Sequence, residues 1–355
     1  MKKARVLIVD DSAVVQKVLT EIFRNVPDLE VVGTATDPYI AREEIKRLKP
    51  DVLTLDVEMP RMDGVTFLKN LMRLHPLPVV MISSLTESGA EVTLRALELG
   101  AIDFVTKPKL NLENGLREYA EEIVSKVRAA AKARPRPPQD LDRTGSVQKP
   151  ADRALAVASA LRGSRASDRI IGIGASTGGT EAIRQVLEGM PEDAPGIVIV
   201  QHIPESFCPP FVRRLDSSTA LKVCIPEDGQ PVLQGHAYVA PGHLHMRVER
   251  VDSRYICRLD DGPLVNRHKP SVDVLFNSLA KYAGASATGV LLTGMGADGA
   301  VGLKAMKDAG AGTVAQDEKS CVVWGMPAQA VKIGAADIVL PLHLIAAQSL
   351  IFAAR

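Results

Sequence analysis

The sequence predicts two α/β domains, each a doubly wound parallel sheet, joined by a linker without regular structure. Short apolar runs alternate with stretches of helical period in both halves of the 355-residue chain, which is the element order of parallel sheets covered by helices. Between the halves, residues 134–150 are rich in proline and polar side chains and lack apolar periodicity. We therefore expect domains at residues 1–127 and 168–355, with a flexible linker at 128–167.

The first domain contains five apolar runs that predict strands. They are Val6–Val9, Val31–Thr34, Val52–Leu55, Val79–Ser83 and Phe104–Thr106. Stretches of helical period separate or follow them, at Val14–Phe23, Ala41–Leu48, Gly64–Leu74, Glu91–Gly100 and Arg117–Arg134. Each such stretch places its apolar residues on one face, as expected of a helix packed on a sheet.

The second domain repeats this alternation and adds a β-rich insertion. Its predicted strands are Ile170–Gly174, Ile197–Val200, His236–Val239, Arg254–Leu259, Val290–Thr293 and Thr313–Gln316. Its predicted helices include Thr180–Leu187, Val274–Tyr282 and Gly302–Asp308. The strands at 236–239 and 254–259 are bounded by turn-forming residues and constitute the predicted insertion.

Composition disfavours several classes of protein. The formal net charge is +1 and aromatic residues make up 4% of the chain, so neither charge nor stacking indicates a nucleic-acid partner. Asp10 and Asp11 interrupt the first apolar run too early for a signal peptide, and no run reaches the roughly 18 apolar residues of a membrane helix. The four cysteines form no C-x-x-C pair. We expect a cytoplasmic protein with free thiols and no direct membrane insertion.

Carboxylates follow two strands of the first domain, with Asp10 and Asp11 after the first strand and Asp56 after the third. The carboxyl ends of parallel strands line one crevice, where clustered carboxylates suit Mg²⁺. Ser83 ends the fourth strand and Lys107 follows the fifth, so a hydroxyl and an ammonium would contact a phosphoryl group on Asp56. Aspartates after strands also act as turn formers or helix caps, which explains each one singly but not the whole matched set.

The motifs VDDS, LDVEMPRMDG, ISS and TKP resemble those of bacterial two-component receiver domains, over residues 5–125. The resemblance implies that Asp56 is the phosphoacceptor. It implies four oxygen ligands for Mg²⁺: Asp10, Asp11, Asp56 and the backbone carbonyl of Glu58. It also implies a switch pair, Ser83 and Phe104, and a contact of Lys107 with the phosphoryl group. Ser83 stands where many receivers carry threonine, and both residues supply a hydroxyl.

The second domain begins with IIGIGASTGGT, in which G-x-S-x-G places Ser176 between a strand and a helix. Such a turn presents a hydroxyl beside the N–H groups of a helix N-terminus. The same glycines fit a dinucleotide-binding loop beginning at Gly172. A dinucleotide site favours an acidic residue after the next strand, but that strand ends in Gln201 and His202. The imidazole of His202 can accept a proton from Ser176, so the sequence favours a nucleophile and leaves the dinucleotide loop as the alternative.

A carboxylate that orients His202 is expected after a neighbouring strand. The run GVLLTGMGADG supplies Asp298 in a glycine-rich loop. Capping of the helix Gly302–Asp308 is a competing role for Asp298, and Asp273 and Asp317 are weaker candidates for the orienting acid. The resulting order of serine, histidine and aspartate differs from the serine–acid–histidine order of α/β-hydrolases.

Six motifs resemble the signatures of one family, the bacterial chemotaxis protein-glutamate methylesterases. They are IGASTGGTEAIR, QHIPESF, GHAYVAPG, VNRHKPSVDVLF, LTGMGADGA and CVVWGMP. The resemblance covers nearly the whole chain. It implies a flavodoxin-like receiver and a Rossmann-like catalytic domain, with Ser176, His202 and Asp298 as the triad. It also implies Met295 as a backbone oxyanion donor and Thr177 as a helper.

The resemblance further implies demethylation of glutamyl methyl esters and deamidation of glutamines on methyl-accepting chemoreceptors. A chemotaxis histidine kinase would phosphorylate the receiver and activate the hydrolase, which needs Mg²⁺ at the receiver and no cofactor for ester hydrolysis. We expect a monomer. The cluster Arg267–Lys269 is either ordinary surface or a grip on acidic receptor helices, and the basic linker is either a tether or a docking strip. A DNA-binding output is disfavoured because the last predicted helices are nearly uncharged.

Overall fold

The computed structural model describes residues 3–83, 86–107, 113–133 and 168–355. The chain divides into two compact units, Met1–Arg143 and Thr144–Arg355. The predicted linker lies outside the described residues from position 134 to position 167. Its first residues belong to a helix that ends at Ala130, and Arg128 in that helix binds Asp28 at 2.6 Å.

The N-terminal unit is a five-stranded parallel sheet with helices between the strands. The strands are β1 Ala4–Val9, β2 Leu29–Ala35, β3 Val52–Asp56, β4 Val79–Ser83 and β5 Asp103–Thr106. The helices are α1 Ala13–Arg24, α2 Pro38–Leu48, α3 Gly64–Leu74, α4 Glu87–Glu98 and α5 Glu113–Ala130. The order β2-β1-β3-β4-β5 confirms the doubly wound sheet. The connections leave β1 and β3 in opposite directions, so a crevice opens at the carboxyl ends of these two strands.

The C-terminal unit is a seven-stranded parallel sheet with the order β14-β13-β12-β6-β7-β9-β8. Its strands are β6 Ile170–Ala175, β7 Gly196–Gln201, β8 Lys222–Cys224, β9 His236–Val239, β12 Ala287–Leu291, β13 Gly312–Gln316 and β14 Ile338–Leu340. Its helices are α6 Gly179–Glu188, α7 Cys208–Ser218, α8 Val272–Tyr282, α9 Ala300–Asp308, α10 Met326–Lys332 and α11 Leu342–Ala353. The central strand β6 lies between β7 and β12, and the connections diverge between β6 and β12.

The predicted β-rich insertion is split between two sheets. β8 and β9 extend the main parallel sheet at one edge, whereas β10 His245–Val251 and β11 Arg254–Asp260 form a separate antiparallel hairpin. The sequence analysis did not predict β8, β10, β14 or α7. β8 and β14 contain only three residues each, and β10 carries charges among its buried residues, which weakens the apolar signal.

Two glycines of β6 set the position of α8. A Cβ at Gly172 would lie 2.3 Å from Cδ1 of Leu279, and a Cβ at Gly174 would lie 2.2 Å from Cγ1 of Val272. The helix therefore packs directly on the strand, and its first turn reaches the carboxyl end of β6. None of the helices in the described part of the chain combines the length and apolar character that crossing a bilayer requires.

Candidate active site and acidic cluster

The acidic cluster of the N-terminal unit lies where β1 and β3 end. One carboxylate oxygen from each of Asp10, Asp11 and Asp56 lies within 4.8 Å of the others. Asp10 and Asp56 are buried, whereas Asp11 is exposed. Ser12 and Asp63 provide the N-caps of α1 and α3. Helix capping therefore does not explain the clustered aspartates. Asp10 does form a local turn, because its Oδ1 accepts a hydrogen bond from the N–H of Ser12 at 2.9 Å.

Burial controls the electrostatics of this cluster. Desolvation, reinforced by the neighbouring Asp56, raises the pKa of Asp10 to about 6. Desolvation also raises the pKa of Asp56, although Lys107 opposes the shift with its Nζ 2.8 Å from Oδ2. Within the described residues, Oδ2 of Asp10 and Oδ1 of Asp56 are buried without a hydrogen-bond partner. Buried, unpartnered carboxylate oxygens are chemically suited to a hard cation such as Mg²⁺.

The other predicted receiver residues surround Asp56. Ser83 is fully buried and its Oγ accepts a hydrogen bond from Oγ1 of Thr93 at 2.6 Å. Phe104 is buried beneath Lys126, whose Nζ lies 5.1 Å from the ring centroid and donates to the Phe104 carbonyl at 2.7 Å. Sequence reasoning missed Thr93 and Lys126, because each is one polar residue within an otherwise ordinary amphipathic helix. Glu58 is exposed, and its backbone N–H opposes the rise that burial causes in the pKa of Asp56.

The C-terminal unit places Ser176 directly after β6, at the crevice between β6 and β12. Its N–H donates to the carbonyl of Thr293 at 3.0 Å, and its carbonyl accepts from Nε2 of Gln201 at 2.9 Å. Gly178 has φ +74° and begins α6 against Val322, where a Cβ would lie 2.6 Å away. These contacts fix the backbone on both sides of the serine, as a positioned nucleophile requires.

The turn after β12 lies against the serine. A Cβ at Gly294 would be 2.8 Å from Cβ of Ser176. Thr293 holds this turn through its hydroxyl, which lies 3.0 Å from the Thr177 carbonyl and accepts the N–H of Val323 at 3.0 Å. Met295 follows Gly294 in this turn and Thr177 follows Ser176 in the chain, while their role at an oxyanion stays a prediction.

His202 and Asp298 form a buried hydrogen-bonded pair. Nε2 of His202 lies 2.9 Å from Oδ2 of Asp298, and the side chains are 8% and 1% exposed. An ionised carboxylate only accepts hydrogen bonds, so Nε2 carries a proton, and in the neutral ring Nδ1 has the lone pair. Nδ1 is buried without a hydrogen-bond partner among the described residues. The available base of this histidine is therefore Nδ1.

Asp298 is held by donors on every side. Besides His202, they are the side chains of Asn266 (2.8 Å) and Ser271 (2.7 Å) and the backbone N–H groups of Val272 (2.7 Å) and Asp273 (3.2 Å). Burial opposes ionisation, but the hydrogen bonds from His202, Asn266 and Ser271 outweigh it and hold the pKa of Asp298 well below its usual range. The two backbone donors begin α8, whose positive end also favours the anion.

The competing interpretations of these residues do not fit the geometry. The helix that follows Asp298, α9, has Gly299 at its N-cap and no side-chain cap, so Asp298 caps α8 instead. Asp273 accepts the N–H of Gly302 at 2.6 Å, and Asp317 accepts the N–H of Ser320 at 2.9 Å. The space over Gly172 and Gly174 that a dinucleotide loop would need is filled by side chains of α8.

The three histidines between positions 243 and 268 divide into two kinds. His245 is 2% exposed and both its ring nitrogens bind backbone groups, while His243 pairs with Glu205 at 3.0 Å. These contacts favour structural roles over metal ligation. His268, in contrast, stacks on His202 with 3.8 Å between ring centroids and 14° between planes. The sequence analysis had placed His268 in a basic surface cluster and had not singled out Asn266 or Ser271.

Comparisons with known proteins identify relatives of both units. Residues 171–349 match a protein-family profile described as CheB methylesterase, and residues 6–117 match the response regulator receiver domain. The chain is 55% identical, over 96% of each chain, to the protein-glutamate methylesterase/protein-glutamine glutaminase of Hydrogenovibrio crunogenus. It is 58% identical, over 99% of this chain and 98% of the relative, to protein-glutamate methylesterase/protein-glutamine glutaminase 1 of Xanthomonas campestris.

A solved structure matches the C-terminal unit. The crystal structure of the Thermotoga maritima CheB methylesterase catalytic domain is similar with a TM-score of 0.50 and 36% sequence identity. The match covers 51% of this chain and 97% of that chain.

Proposed function

Because the chain belongs to the CheB methylesterases that carry a receiver domain, and is thus a protein-glutamate methylesterase and protein-glutamine glutaminase, we propose that Ser176, His202 and Asp298 catalyse its reactions. The observation that best supports this proposal is the hydrogen bond between Nε2 of His202 and Oδ2 of Asp298 at 2.9 Å, which leaves Nδ1 as the only basic nitrogen of the ring. The substrates are glutamyl methyl esters and glutamine side chains of chemoreceptors, and the activity contributes to chemotactic adaptation.

The proposed reaction is an acyl transfer in two stages. Oγ of Ser176 attacks the side-chain carbonyl carbon while Nδ1 of His202 takes the hydroxyl proton. The imidazolium then gives this proton to the departing methoxide, or in deamidation to the amide nitrogen, which leaves as ammonia, and a glutamyl ester of Ser176 remains. Water hydrolyses that ester with His202 again acting as base. Asp298 stays ionised throughout, because its hydrogen bonds hold its pKa far below neutral pH.

Backbone N–H groups of Met295 and Thr177 are the proposed oxyanion donors. The turn that contains Met295 packs on Ser176 through Gly294, which brings the peptide close to the attacking oxygen. Such donors stabilise charge that develops only in the transition state, and removing one typically lowers kcat by ~100–1000-fold. Thr293 is the positioning residue for this turn, since its hydroxyl joins it to the Thr177 carbonyl.

The receiver is the proposed switch of the hydrolase. Asp56 accepts a phosphoryl group from a histidine kinase, and the proposed Mg²⁺ ligands are Asp10, Asp11, Asp56 and the carbonyl of Glu58. Mg²⁺, when bound, neutralises negative charge on the phosphoryl oxygens. Lys107 already contacts Asp56 at 2.8 Å and would remain paired with the phosphoryl group. Ser83 would turn its hydroxyl proton toward that group, and Phe104 would respond with it as the switch pair, shifting the population toward the active form.

Methanol release from methylated chemoreceptor membranes tests both proposals. Ser176→Ala should abolish release with or without a phosphodonor, whereas Ser217→Ala, a matched change of a surface serine on α7, should retain it. Asp56→Asn should keep basal release and lose the stimulation by the phosphodonor, whereas Asp28→Asn should keep both. Release by Ser176→Ala would exclude the nucleophile, and stimulation of Asp56→Asn would exclude the switch.

A further inference from the structure

The segment that joins β11 to α8 is closed at its base by one histidine. Nε2 of His245 donates to the carbonyl of Pro263 at 2.9 Å, and its Nδ1 accepts the N–H of Ser271 at 3.2 Å. A carbonyl only accepts and an N–H only donates, so these bonds fix the tautomer of His245. The buried ring thus ties the two ends of the segment together, and the residues between them form a loop of defined shape.

The tip of this loop is a tight turn with an unusual backbone. Val265 and His268 exchange two backbone hydrogen bonds, at 3.1 and 2.9 Å. Between them, Asn266 has φ 52° and Arg267 has φ 67°, so both central residues lie in the left-handed region, as in a type I′ turn. Asparagine tolerates this region, but arginine does not favour it. Strained backbone of this kind persists where the surroundings over-determine it, often beside an active site.

Two side chains of the turn reach the acid–base pair. Nδ2 of Asn266 donates to Oδ1 of Asp298 at 2.8 Å and to Oδ2 of Asp273 at 2.7 Å. The ring of His268 lies flat on the ring of His202, with the centroids 3.8 Å apart. A single turn therefore contacts both the carboxylate and the imidazole.

We propose that the turn Val265–His268 is a positioning element of the hydrolase, in which Asn266 fixes the Asp298 carboxylate and His268 fixes the plane of the His202 ring. The proposal rests on the proposed catalytic roles of His202 and Asp298. The single hydrogen bond at Nε2 of His202 leaves the ring able to tilt about that bond. A flat stack on His268 removes this freedom and keeps Nδ1 in one direction.

The backbone of the turn does not depend on the side chain of His268. Its closing hydrogen bonds come from main-chain N–H and carbonyl groups, so a substitution at this position changes the stack and preserves the pairing. His268→Phe retains a flat ring and removes the nitrogens, whereas His268→Leu retains apolar volume without a ring. This pair of variants separates stacking from any acid–base chemistry of His268 itself.

Kinetics of the full-length protein on methylated receptor membranes provide the first test. We expect His268→Leu to lower kcat by about 3- to 10-fold with KM unchanged, because the contribution of one stacked ring pair corresponds to a rate change of about this size. The kcat of His268→Phe, which keeps a stacked ring, should stay within about twofold of wild type. The exposed His343 on α11 supplies the matched control, and His343→Leu should leave kcat unchanged. A wild-type kcat in His268→Leu, or equal losses in the Leu and Phe variants, would overturn the proposal.

Nuclear magnetic resonance of histidine-labelled protein provides a second test that does not depend on activity. The ring protons of His202, assigned among the seven histidines with a His202→Gln variant, should shift downfield in His268→Leu because the ring current is lost. They should not move downfield in His268→Phe, because the phenyl ring also shields protons stacked on it. A downfield shift in His268→Phe would overturn the proposal, and this variant decides the question alone if the Leu variant does not fold. If the Ser176→Ala variant released methanol, the proposed catalytic function would be refuted, but the chemical shifts of His202 would still report whether His268 stacks on it.

Discussion

Asp298→Asn tests the chemistry of the acid–base pair most directly. The change preserves the shape of the side chain and replaces one carboxylate oxygen with an NH₂ donor. All neighbours of the carboxylate are donors. His202 and the N–H of Val272 bind Oδ2, while Asn266, the hydroxyl of Ser271 and the N–H of Asp273 bind Oδ1. The new NH₂ group must therefore face donors in either orientation.

The two orientations differ in how many donors they leave unpaired. With NH₂ at the Oδ1 position, Asn266 and the N–H of Asp273 both lose their acceptor, although the hydroxyl of Ser271 can rotate to accept. With NH₂ at the Oδ2 position, only the N–H of Val272 loses its acceptor, because His202 can change tautomer and accept at Nε2. Each buried unpaired donor costs about 1–3 kcal/mol, so the second orientation should prevail.

The tautomer change removes the base. The proton of His202 moves to Nδ1, which then cannot accept the proton of Ser176. We expect kcat to fall by roughly 10⁴-fold, as in a serine protease whose orienting aspartate becomes asparagine, with little change in KM. The unpaired N–H and the lost charge at the start of α8 should also lower the free energy of unfolding by about 2–4 kcal/mol.

Methanol release measures kcat and KM, and ¹⁵N resonance of His202 identifies the protonated nitrogen. Asp273→Asn is the matched control: this buried carboxyl begins the same helix, burial raises its pKa, and it binds Gly302 and Asn266 instead of the imidazole. Its kcat should remain within about tenfold of wild type. A folded Asp298→Asn protein with kcat within tenfold of wild type, or equal losses in both variants, would refute the tautomer argument.

Three further predictions concern the rest of the two units. Burial raises the pKa of Asp10 to about 6, so at lower pH a proton on Asp10 competes with Mg²⁺. Titration calorimetry should show a constant Mg²⁺ affinity above that pH and an affinity roughly tenfold weaker for each pH unit below it. An Mg²⁺ affinity that stays constant down to pH 5 would contradict the assignment. Gly174→Ala places a methyl group 2.2 Å from Cγ1 of Val272, the first residue of α8. It should lower the free energy of unfolding, measured by denaturant titration, by about 1–3 kcal/mol. An unchanged denaturation midpoint would exclude the close packing of α8 on β6. Thr293→Val removes a buried hydroxyl that hydrogen-bonds backbone groups of Thr177, Val322 and Val323 and should lower the free energy of unfolding by about 2–4 kcal/mol. Thr288→Val on the preceding strand β12 removes a hydroxyl that has no partner among the described residues and should not destabilise; equal shifts in melting temperature would contradict this.

The sequence predicted the residues that follow strands. Apolar runs locate buried strands, and in a parallel sheet the next polar residue must emerge at the carboxyl edge. Ser176, His202 and the receiver aspartates lie at or directly after the carboxyl ends of strands, whereas Asp298 lies further along, in the loop between β12 and α9. Which helix Asp298 caps was not predictable, because its partner α8 precedes it in the chain and becomes its neighbour only through packing on β6.

Asn266, His268 and Ser271 belong to a different class. They lie in a loop whose direction depends on His245 and on left-handed backbone at two non-glycine residues, and neither feature produces periodicity. The cluster Arg267–Lys269 was therefore interpreted either as ordinary surface or as a grip on acidic receptor helices. Arg267 is indeed exposed, but its neighbours on either side contact the acid–base pair. The proposal of Nδ1 as the base of His202 was likewise not accessible from the sequence, since it depends on which ring nitrogen contacts Asp298.

The central position of β6 bears on the biosynthesis of the enzyme. The strand that carries Ser176 pairs with β12, and 96 residues separate His202 from Asp298. A nascent chain synthesised only as far as His202 therefore lacks both Asp298 and the turn that packs on Ser176. One edge of its central strand β6 is still unpaired, because β12 has not yet been made. The receiver, whose five strands are all made earlier, can fold before any hydrolase exists. Esterase activity should thus arise only after β12 and Asp298 have been made, later than the domain that is proposed to switch it.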